Sequence, residues 1–377
     1  MNLRRLGAVA RKEWIHYLRD WRSLFLTIAI PMVLILLFGY ALNMDLKNVP
    51  AVVWDQSCSP QSRALLKLFD GSEYFSIDAY YDNYQDIVSD LDSGRTMIAL
   101  VIPSGFAKAI QGSEPVKIQA IADGTDANTA RLAMGYAEGI SLIYSQEIKA
   151  QKIRLMTGRT MSLPVELVPR VWYNPDLRST NVIIPGILAM VMMIIAAMMT
   201  SVTVAKEWET GTMEQLISTP VRVPEIVLGK VIPYFVIGML DVAIAIGLGR
   251  WLFHVPLRGS LLLVFAMAAL FLVGALFFGL MISIVMKKQV LANQIAIMGG
   301  FLPTIILSGF VFPISSMPLA IQCITFIVPA RYFIALLRGI YLKGTGLEVL
   351  WIDALLLGVY AGLMVFLAHK RLKLKLE

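Results

Sequence analysis

Long apolar runs are the feature of this 377-residue sequence that most restricts its fold. About 20 consecutive apolar residues cross the hydrocarbon core of a bilayer as a helix. Charged residues make up only 16% of the chain, whereas about a quarter is usual in soluble domains. The sequence therefore predicts a polytopic α-helical membrane protein. We expect six transmembrane helices, at residues 23–44, 182–205, 231–249, 261–286, 290–312 and 349–368.

The number of spans depends on the uncharged stretch 289–330, which is long enough to cross twice. Two crossings there would give seven spans and leave one of the two basic termini outside, against the positive-inside rule. We therefore expect one span at 290–312. Residues 313–330, which contain three prolines, then form an outer re-entrant segment that dips in without crossing.

The distribution of charge predicts the orientation of the chain. Residues 1–22 carry six Lys/Arg and two acids, and the tail 369–377 carries four Lys/Arg and one acid. Residues 43–180 instead carry thirteen basic and sixteen acidic residues. Short basic flanks stay in the cytoplasm, so we expect both termini inside and residues 45–180 outside. Basic flanks also suit anionic membrane lipid, and no nucleic acid is needed to explain them.

The first 22 residues show an apolar stripe at helical spacing, formed by Leu6, Val9, Ala10, Trp14, Tyr17, Leu18 and Trp21. Arg and Lys occupy the other face. This pattern is typical of an interfacial, or elbow, helix that lies in the headgroup plane. A plain basic flank of the first span at 23–44 would explain the charges but not the stripe.

Residues 45–180 alternate short strand-like segments with helical ones, which predicts an inserted extracytoplasmic α/β domain built on one small sheet. The segments that read as strands are 51–55, 74–80, 97–103, 116–122 and 165–173. The other five spans form a transmembrane domain at 181–368. Two cysteines, Cys58 and Cys323, make no disulfide framework, although both would lie outside and a bridge between them stays open.

The loop between the second and third spans, residues 206–230, reads KEWETGTMEQLISTPVRVPEIVLGK. Thr212 and Gln215 fit a capping box, so we expect a short helix from Met213 with an apolar edge. The acids Glu207, Glu209 and Glu214 should stay exposed. A solvated connector is the simpler alternative, but a capped helix with its own apolar edge favours a docking segment.

This loop resembles the corresponding loop of permeases in the ATP-binding cassette type-2 exporter family. The shared pattern is carried here by Glu209, Gly211, Thr212, Glu214, Leu216, Pro220, Gly229 and Lys230. Residues 11–20 are similar to the family's N-terminal helix, and residues 307–344 to its fifth span and re-entrant region. The resemblance covers nearly the whole chain and is closest to bacterial multidrug-efflux permeases with a large extracytoplasmic domain.

The resemblance implies the permease subunit of an ATP-driven exporter in the bacterial inner membrane, moving hydrophobic or amphipathic drug-like compounds outward. Two permease chains, identical or related, would pair and bind separate ATPase subunits, and a periplasmic adaptor could dock outside. Export of a lipid or glycan, or an envelope sensor or scaffold, are the alternatives. The residues implied in coupling to the ATPase are Glu207, Glu209, Gly211, Thr212, Glu214, Leu216 and Pro220, with Arg11, Lys12 and Glu13.

The sequence indicates no catalytic site of its own. The only Gly-Lys pair, Gly229-Lys230, lacks the first glycine and the final Ser/Thr of a P-loop. ATP and Mg²⁺ would therefore belong to the partner ATPase, with no cofactor on this chain. The three histidines lie in separate regions and predict no metal site.

Several residues inside the spans are candidates for the translocation path. Asp241 stands in the middle of the third span, where an ionisable group is a functional candidate or a neutral or paired buried acid. Methionine suits adaptable apolar surfaces, and phenylalanine could form a gate, although ordinary packing explains either. The other candidates are Met192, Met193, Met199, Asn293, Phe301 and Phe310.

Overall fold

The computed structural model describes residues 2–41, 47–112, 114–157, 172–174 and 178–372. The chain forms two compact units, one from Met1–Asn43 with Arg170–Glu377, and one from Met44–Pro169. Most of the strand expected at 165–173, and the tail beyond residue 372, lie outside the described residues.

The chain begins with two helices, α1 (Leu3–Arg19) and α2 (Trp21–Ala41). The Asn2 side chain caps α1 by accepting a hydrogen bond from the Arg4 amide at 3.0 Å, which satisfies a donor that has no partner within the helix. α1 ends at Asp20, whose amide bonds to the carbonyls of the last turn. The expected N-terminal helix is therefore present.

The unit Met44–Pro169 contains a four-stranded sheet in the order β2-β1-β3-β4. β1 pairs in parallel with β2 and β3, and β4 is antiparallel to β3. Every residue of β3 is buried, as expected for a central strand covered on both faces. Four of the five predicted strands are confirmed. The elements are β1 (Val49–Asp55), α3 (Pro60–Asp70), β2 (Phe75–Tyr80), α4 (Tyr84–Asp92), β3 (Ile98–Ile102), α5 (Phe106–Gly112), β4 (Gln119–Ala122) and α6 (Ala127–Thr157).

The rest of the other unit is helical. Its elements are α7 (Thr180–Ser201), α8 (Thr203–Glu209), α9 (Thr212–Ile217), α10 (Val223–Trp251), α11 (Leu261–Met286), α12 (Gln289–Leu307), α13 (Leu319–Thr325), α14 (Pro329–Arg338) and α15 (Leu347–Arg371). A 3₁₀ turn at Ile314–Ser316 precedes α13, and a π-helical segment at Gly339–Lys343 follows α14.

Five stretches of the described chain are long and apolar enough to cross a membrane: Thr180–Glu209, α10, α11, α12 and α15. Two bent pairs, α1 with α2 and α13 with α14, would raise the number to seven if each pair is one span. The polytopic helical class is therefore confirmed. The α13–α14 pair bends by 83°, as a broken span or a re-entrant loop does.

α7 is the central helix of this unit, since 78% of the most apolar window of Thr180–Glu209 is buried, against 17% for α15. Gly279 on α11 permits a very close approach to α7. A Cβ atom there would lie 2.3 Å from Thr200 Oγ1 and 2.4 Å from the Ala197 carbonyl oxygen. Thr200 Oγ1 also donates to the Leu276 carbonyl at 2.7 Å. Small residues at such crossings let helix backbones approach closely.

We predict that Gly279→Ala lowers the stability of the unit. Alanine gains about 1 kcal/mol of helix propensity over glycine. Overpacking costs about 1–3 kcal/mol, and here the added Cβ would clash with backbone atoms as well as with a side chain. Thermal unfolding of the detergent-solubilised protein should show a lower transition temperature. Gly362→Ala on α15 is the matched control, because nothing lies within 4 Å of its added Cβ. Equal stability of the two variants would contradict the prediction.

Candidate functional site

The segment after α7 turns back on itself as the short helices α8 and α9. Ser283 Oγ on α11 accepts hydrogen bonds from the amides of Val204 and Ala205 at 3.0 and 2.9 Å. This hydroxyl satisfies amide donors at the start of α8, where the regular helix of α7 is interrupted. The loop therefore starts from a fixed position on the membrane helices.

Gly211 makes the turn between α8 and α9 with a φ of 72°, in the left-handed region that favours glycine. The predicted capping box at Thr212 is wrong. α9 begins at Thr212 itself, with Gly211 as its N-cap and no side-chain cap. The Thr212 hydroxyl instead bonds to the Glu207 carbonyl at 3.4 Å, because the tight glycine turn places this threonine inside the first turn.

The apolar edge of α9 is used inside the protein. Met213 is fully buried, and Leu216 and Ile217 pack half-buried against the core of the same unit. The expectation that this edge is free to dock is therefore wrong. What α9 and its turn leave exposed is polar: Thr210 to Thr212, Glu214 and Gln215.

Glu207 was expected to be exposed, and the structure corrects this: it is 7% exposed and lies in a buried ion cluster. Lys230 Nζ of α10 lies 2.8 Å from Glu13 Oε1 and 2.9 Å from Glu207 Oε2. Lys12 Nζ lies 2.9 Å from Glu207 Oε1. Lys230 is only 1% exposed. The buried groups are Glu13, Glu207 and Lys230, and the exposed cation of Lys12 balances the second carboxylate from the rim. Such pairing is the condition for keeping the buried charges out of water.

Gly229 explains why α1 reaches this cluster. A Cβ at Gly229 would lie 2.8 Å from the Val9 side chain, so the glycine allows α1 to pack closely on α10. Glu13 follows Val9 by about one turn and therefore faces Lys230, where Tyr234 also donates a hydrogen bond to it at 3.4 Å. Gly229 and Lys230 belong to the predicted loop pattern, but the partners of this lysine were not predicted from the sequence. A lone lysine in an apolar helix is the signal that could have found them.

The stripe of α1 is divided between two surroundings. Val9 and Tyr17 are buried with Glu13, while Trp14 and Leu18 are exposed. Trp21, the last residue of the predicted stripe, is exposed at the start of α2. Burial alone would lower the pKa of Lys12, but the hydrogen bond and the charge of Glu207 outweigh it and raise that pKa above its ordinary value. The cation of Lys12 is therefore favoured, which supports the charge balance of the cluster.

Two further contacts connect the loop to the start of α12 and to the end of α11. Glu209 Oε2 accepts hydrogen bonds from the backbone amide and the side chain of Gln289 at 3.1 and 3.0 Å. A carboxylate is favourable there because the amino end of a helix carries partial positive charge. Lys287 Nζ lies 4.7 Å from the centroid of the Trp208 ring. Thus α8 is connected to α1, α10 and α12 by charged groups.

A further set of hydrogen bonds connects the start of α1 to the start of α10. Glu225 Oε1 accepts a hydrogen bond from the Asn2 amide at 2.6 Å, and its Oε2 accepts one from the Arg222 amide at 3.0 Å. Arg5 donates to the Pro220 carbonyl. The predicted residue Arg11 is exposed on the outer face of α1.

A cleft of about 510 Å³ opens beside the ion cluster, lined from α1, α2, α7, α8, α10 and α12. Its lining includes both ionisable residues, Lys12, Glu13, His16, Asp20, Lys206 and Glu207, and apolar ones, Leu26, Ile30, Ile195, Met198 and Met199. Its size falls in the range of sites for drug-sized molecules. The predicted residue Asn293 also lines it.

The predicted residue Asp241 is 7% exposed and faces a small cavity of about 10 Å³. Met192 and Met199 line the same cavity. The other candidates lie elsewhere: Met193 packs beside Gly300, Phe310 covers Gly186, and Phe301 is half-buried in the core. Of the candidates, the structure thus brings together Met192, Met199 and Asp241, with Asn293 in the adjacent cleft.

In the part of the chain that the structure describes, no group of three or more His, Cys, Asp or Glu side chains could hold a metal ion.

The comparisons with known proteins agree on one family. A family model described as ABC-2 family transporter protein matches residues 21–370. The probable multidrug ABC transporter permease YbhS of Escherichia coli is 36% identical over 100% of this chain and 99% of its own length. The related permease YbhR is 29% identical over 92% of both chains. ABC transporter G family member 20 of Dictyostelium discoideum is 24% identical over 96% of this chain but 50% of its own length.

We predict that Lys230→Met destabilises the protein by about 3–5 kcal/mol, because it leaves two buried carboxylates without their shared cation. Folded yield after detergent extraction and the unfolding temperature measure this. Lys206→Met, at an exposed lysine on α8, is the control and should cost little. The triple variant Glu13→Gln, Glu207→Gln, Lys230→Met should recover part of the loss. No difference between the two lysine variants would show that the cluster is unimportant.

Proposed function

Since the chain belongs to the ABC-2 family of transporter proteins, we propose that this permease exports hydrophobic or amphipathic drug-like compounds across the inner membrane. The similarity to YbhS and YbhR, both named as probable multidrug ABC transporter permeases, supports this substrate class. The observation that carries the proposal is the cleft of about 510 Å³, whose lining combines apolar and charged side chains. An amphipathic molecule needs both surfaces.

The energy would come from a separate ATPase subunit. The sequence contains no P-loop motif. The permease would receive its motion through contacts with that subunit.

The coupling surface that we propose is the turn between α8 and α9 together with Glu214. Thr210 to Thr212 and Glu214 are exposed, whereas Glu207 in the same loop is held by Lys230 of α10. A push on the exposed turn would therefore be passed to α10 through the buried cluster and to α12 through Glu209. Arg11, Lys12 and Glu13 belong to this arrangement through α1. Of the coupling residues, Gly211, Thr212 and Glu214 would touch the ATPase.

We further propose six spans, with α2 as the first and the α13–α14 pair as an outer re-entrant segment. Both termini would then be cytoplasmic, and the unit Met44–Pro169 extracytoplasmic, where an adaptor could dock. A second permease chain would complete the transporter. α12 offers a surface for it, since an apolar row on one face is exposed: Leu291, Ile295, Met298, Leu302 and Ile306.

We predict that Glu214→Lys prevents capture of the ATPase. The tagged permease, gently extracted from native membranes, should co-purify with a protein carrying a P-loop, and the variant should lose at least 10-fold of it. The reversed charge would face basic residues across the docking groove. Because Glu214 is exposed, the variant should unfold at the same temperature as the parent.

Glu348→Lys is the matched control, since it makes the same change at an exposed glutamate on the first turn of α15. In the proposed topology it lies on the outer side and should retain the ATPase. If the parent captures no ATPase although it is intact, the exporter proposal fails and a sensor or scaffold becomes the better explanation. If the parent, Glu214→Lys and Glu348→Lys capture equal amounts of the ATPase, the docking surface does not include Glu214.

The topology predicts the reactivity of cysteine thiols in spheroplasts. Cys58 and Cys323 are both exposed free thiols. With Cys323→Ser in the background, a membrane-impermeant maleimide should label Cys58 without disrupting the membrane. A cysteine placed at the exposed Gln215 in a variant lacking both natural cysteines should react only after permeabilisation. Labelling in the opposite order would invert the proposed orientation.

A further inference from the structure

Asp241 is an unpaired acid inside the helical unit. It is 7% exposed, and within the described residues neither of its carboxylate oxygens accepts a hydrogen bond. An ionised carboxylate without a partner is very costly away from water. Lys230, one buried cation on the same helix, is already shared by Glu13 and Glu207. When Asp241 is ionised, a bound cation would therefore supply the partner that the described residues do not provide.

The cavity that Asp241 faces is almost entirely apolar. Apart from Asp241 and Tyr234, its walls are aliphatic, methionine, proline or glycine residues from α2, α7, α10 and α11. The Tyr234 hydroxyl is already donated to Glu13. At about 10 Å³ the cavity holds no more than a single water molecule. A ligand for Asp241 must therefore arrive from a larger space.

That larger space is the cleft. Ile195, Met199 and Tyr234 line both the cavity and the cleft, so a wall one side chain thick separates them. Met199 is the movable part of this wall, because methionine is unbranched and changes rotamer easily. A shift of its side chain would join the acid to a cleft of about 510 Å³.

The chemistry of the walls selects the kind of cation. A hard metal ion such as Ca²⁺ or Mg²⁺ requires about six oxygen ligands, and this cavity offers one carboxylate and a tyrosine already in use. An organic cation with an apolar body needs only one counter-charge and apolar walls. The charged residues that line the cleft are of both signs, so they present no net barrier to a cation.

We propose that the permease binds lipophilic organic cations in this cleft, with Asp241 as their counter-ion once Met199 moves aside. The inference rests on the proposed function, since it names the substrate class of that same transport site. The apolar body of the ligand lies against Ile195 and the α2 residues, and its charge reaches the α10 acid.

Tetraphenylphosphonium and tetraphenylborate provide a matched pair of probes, because they have nearly the same size and apolar surface and opposite charge. We measure their binding to the purified full-length permease in detergent by equilibrium dialysis. The parent should bind the cation at least 10-fold more tightly than the anion. Asp241→Asn should lose at least 10-fold in affinity for the cation and leave the affinity for the anion unchanged.

Two variants control for structural effects. Asp241→Glu keeps the charge and should retain most of the preference for the cation. Asp353→Asn makes the same change at a half-buried acid on α15 that lines neither the cleft nor the cavity, and should bind like the parent. If Asp241→Asn binds the cation as the parent does, or if it loses both ions equally, the inference is overturned.

A transport measurement separates this inference from the proposed function. Inverted vesicles containing the permease and its ATPase are supplied with ATP, tetraphenylphosphonium and a neutral hydrophobic dye. Uptake of the dye by Asp241→Asn without uptake of the cation supports both ideas. If this variant takes up both the cation and the dye with ATP, the role of Asp241 is refuted and the proposed export function remains supported. If the parent binds the cation but shows no ATP-driven uptake of either compound, export is refuted and the proposed binding site remains supported.

Discussion

The buried cation of Lys230 is the interaction on which the arrangement at the α1 end of this protein depends. It is shared by Glu13 of α1 and Glu207 of α8, so three elements far apart in sequence meet at one charge. In an apolar interior such a group must be paired, because an unpaired ion costs several kcal/mol. The same requirement makes the contact rigid: α8 cannot move away from α10 without separating opposite charges.

This rigidity gives a physical basis for coupling in an ABC-2 permease. The exposed turn at Gly211 is connected to α10 through Glu207 and to α12 through Glu209. The cleft lies beside the same ion cluster, and its lining includes residues of the cluster and of the turn. A displacement of the loop would therefore change the walls of the cleft directly. In the proposed mechanism, the turn that receives the motion and the cleft that would bind a ligand are separated by one layer of side chains.

Two of the buried acids on or beside α10, Glu207 and Asp241, illustrate opposite uses of charge. Glu207 is fully compensated and serves to hold elements together. Asp241 has no protein partner among the described residues and sits behind a thin wall beside the cleft. Position along a helix does not distinguish these cases, since both acids lie next to apolar segments. The distinction comes from whether a lysine on another helix faces the carboxylate.

The sequence by itself determined the helical membrane class, the approximate bounds of the apolar helices and four strands of the sheet. These follow from local composition and periodicity. The thickness of the bilayer sets the length of an apolar helix, and the need to satisfy backbone hydrogen bonds in lipid makes each apolar run helical. Only the tertiary structure decided that Glu207 is buried, that Met213 is packed inward and that Thr212 caps no helix. The burial of Glu207 and of Met213 depends on contacts with other elements, such as Lys230 facing Glu207, and no local pattern encodes which residue will be the partner. The position of Thr212 follows from the turn that Gly211 makes.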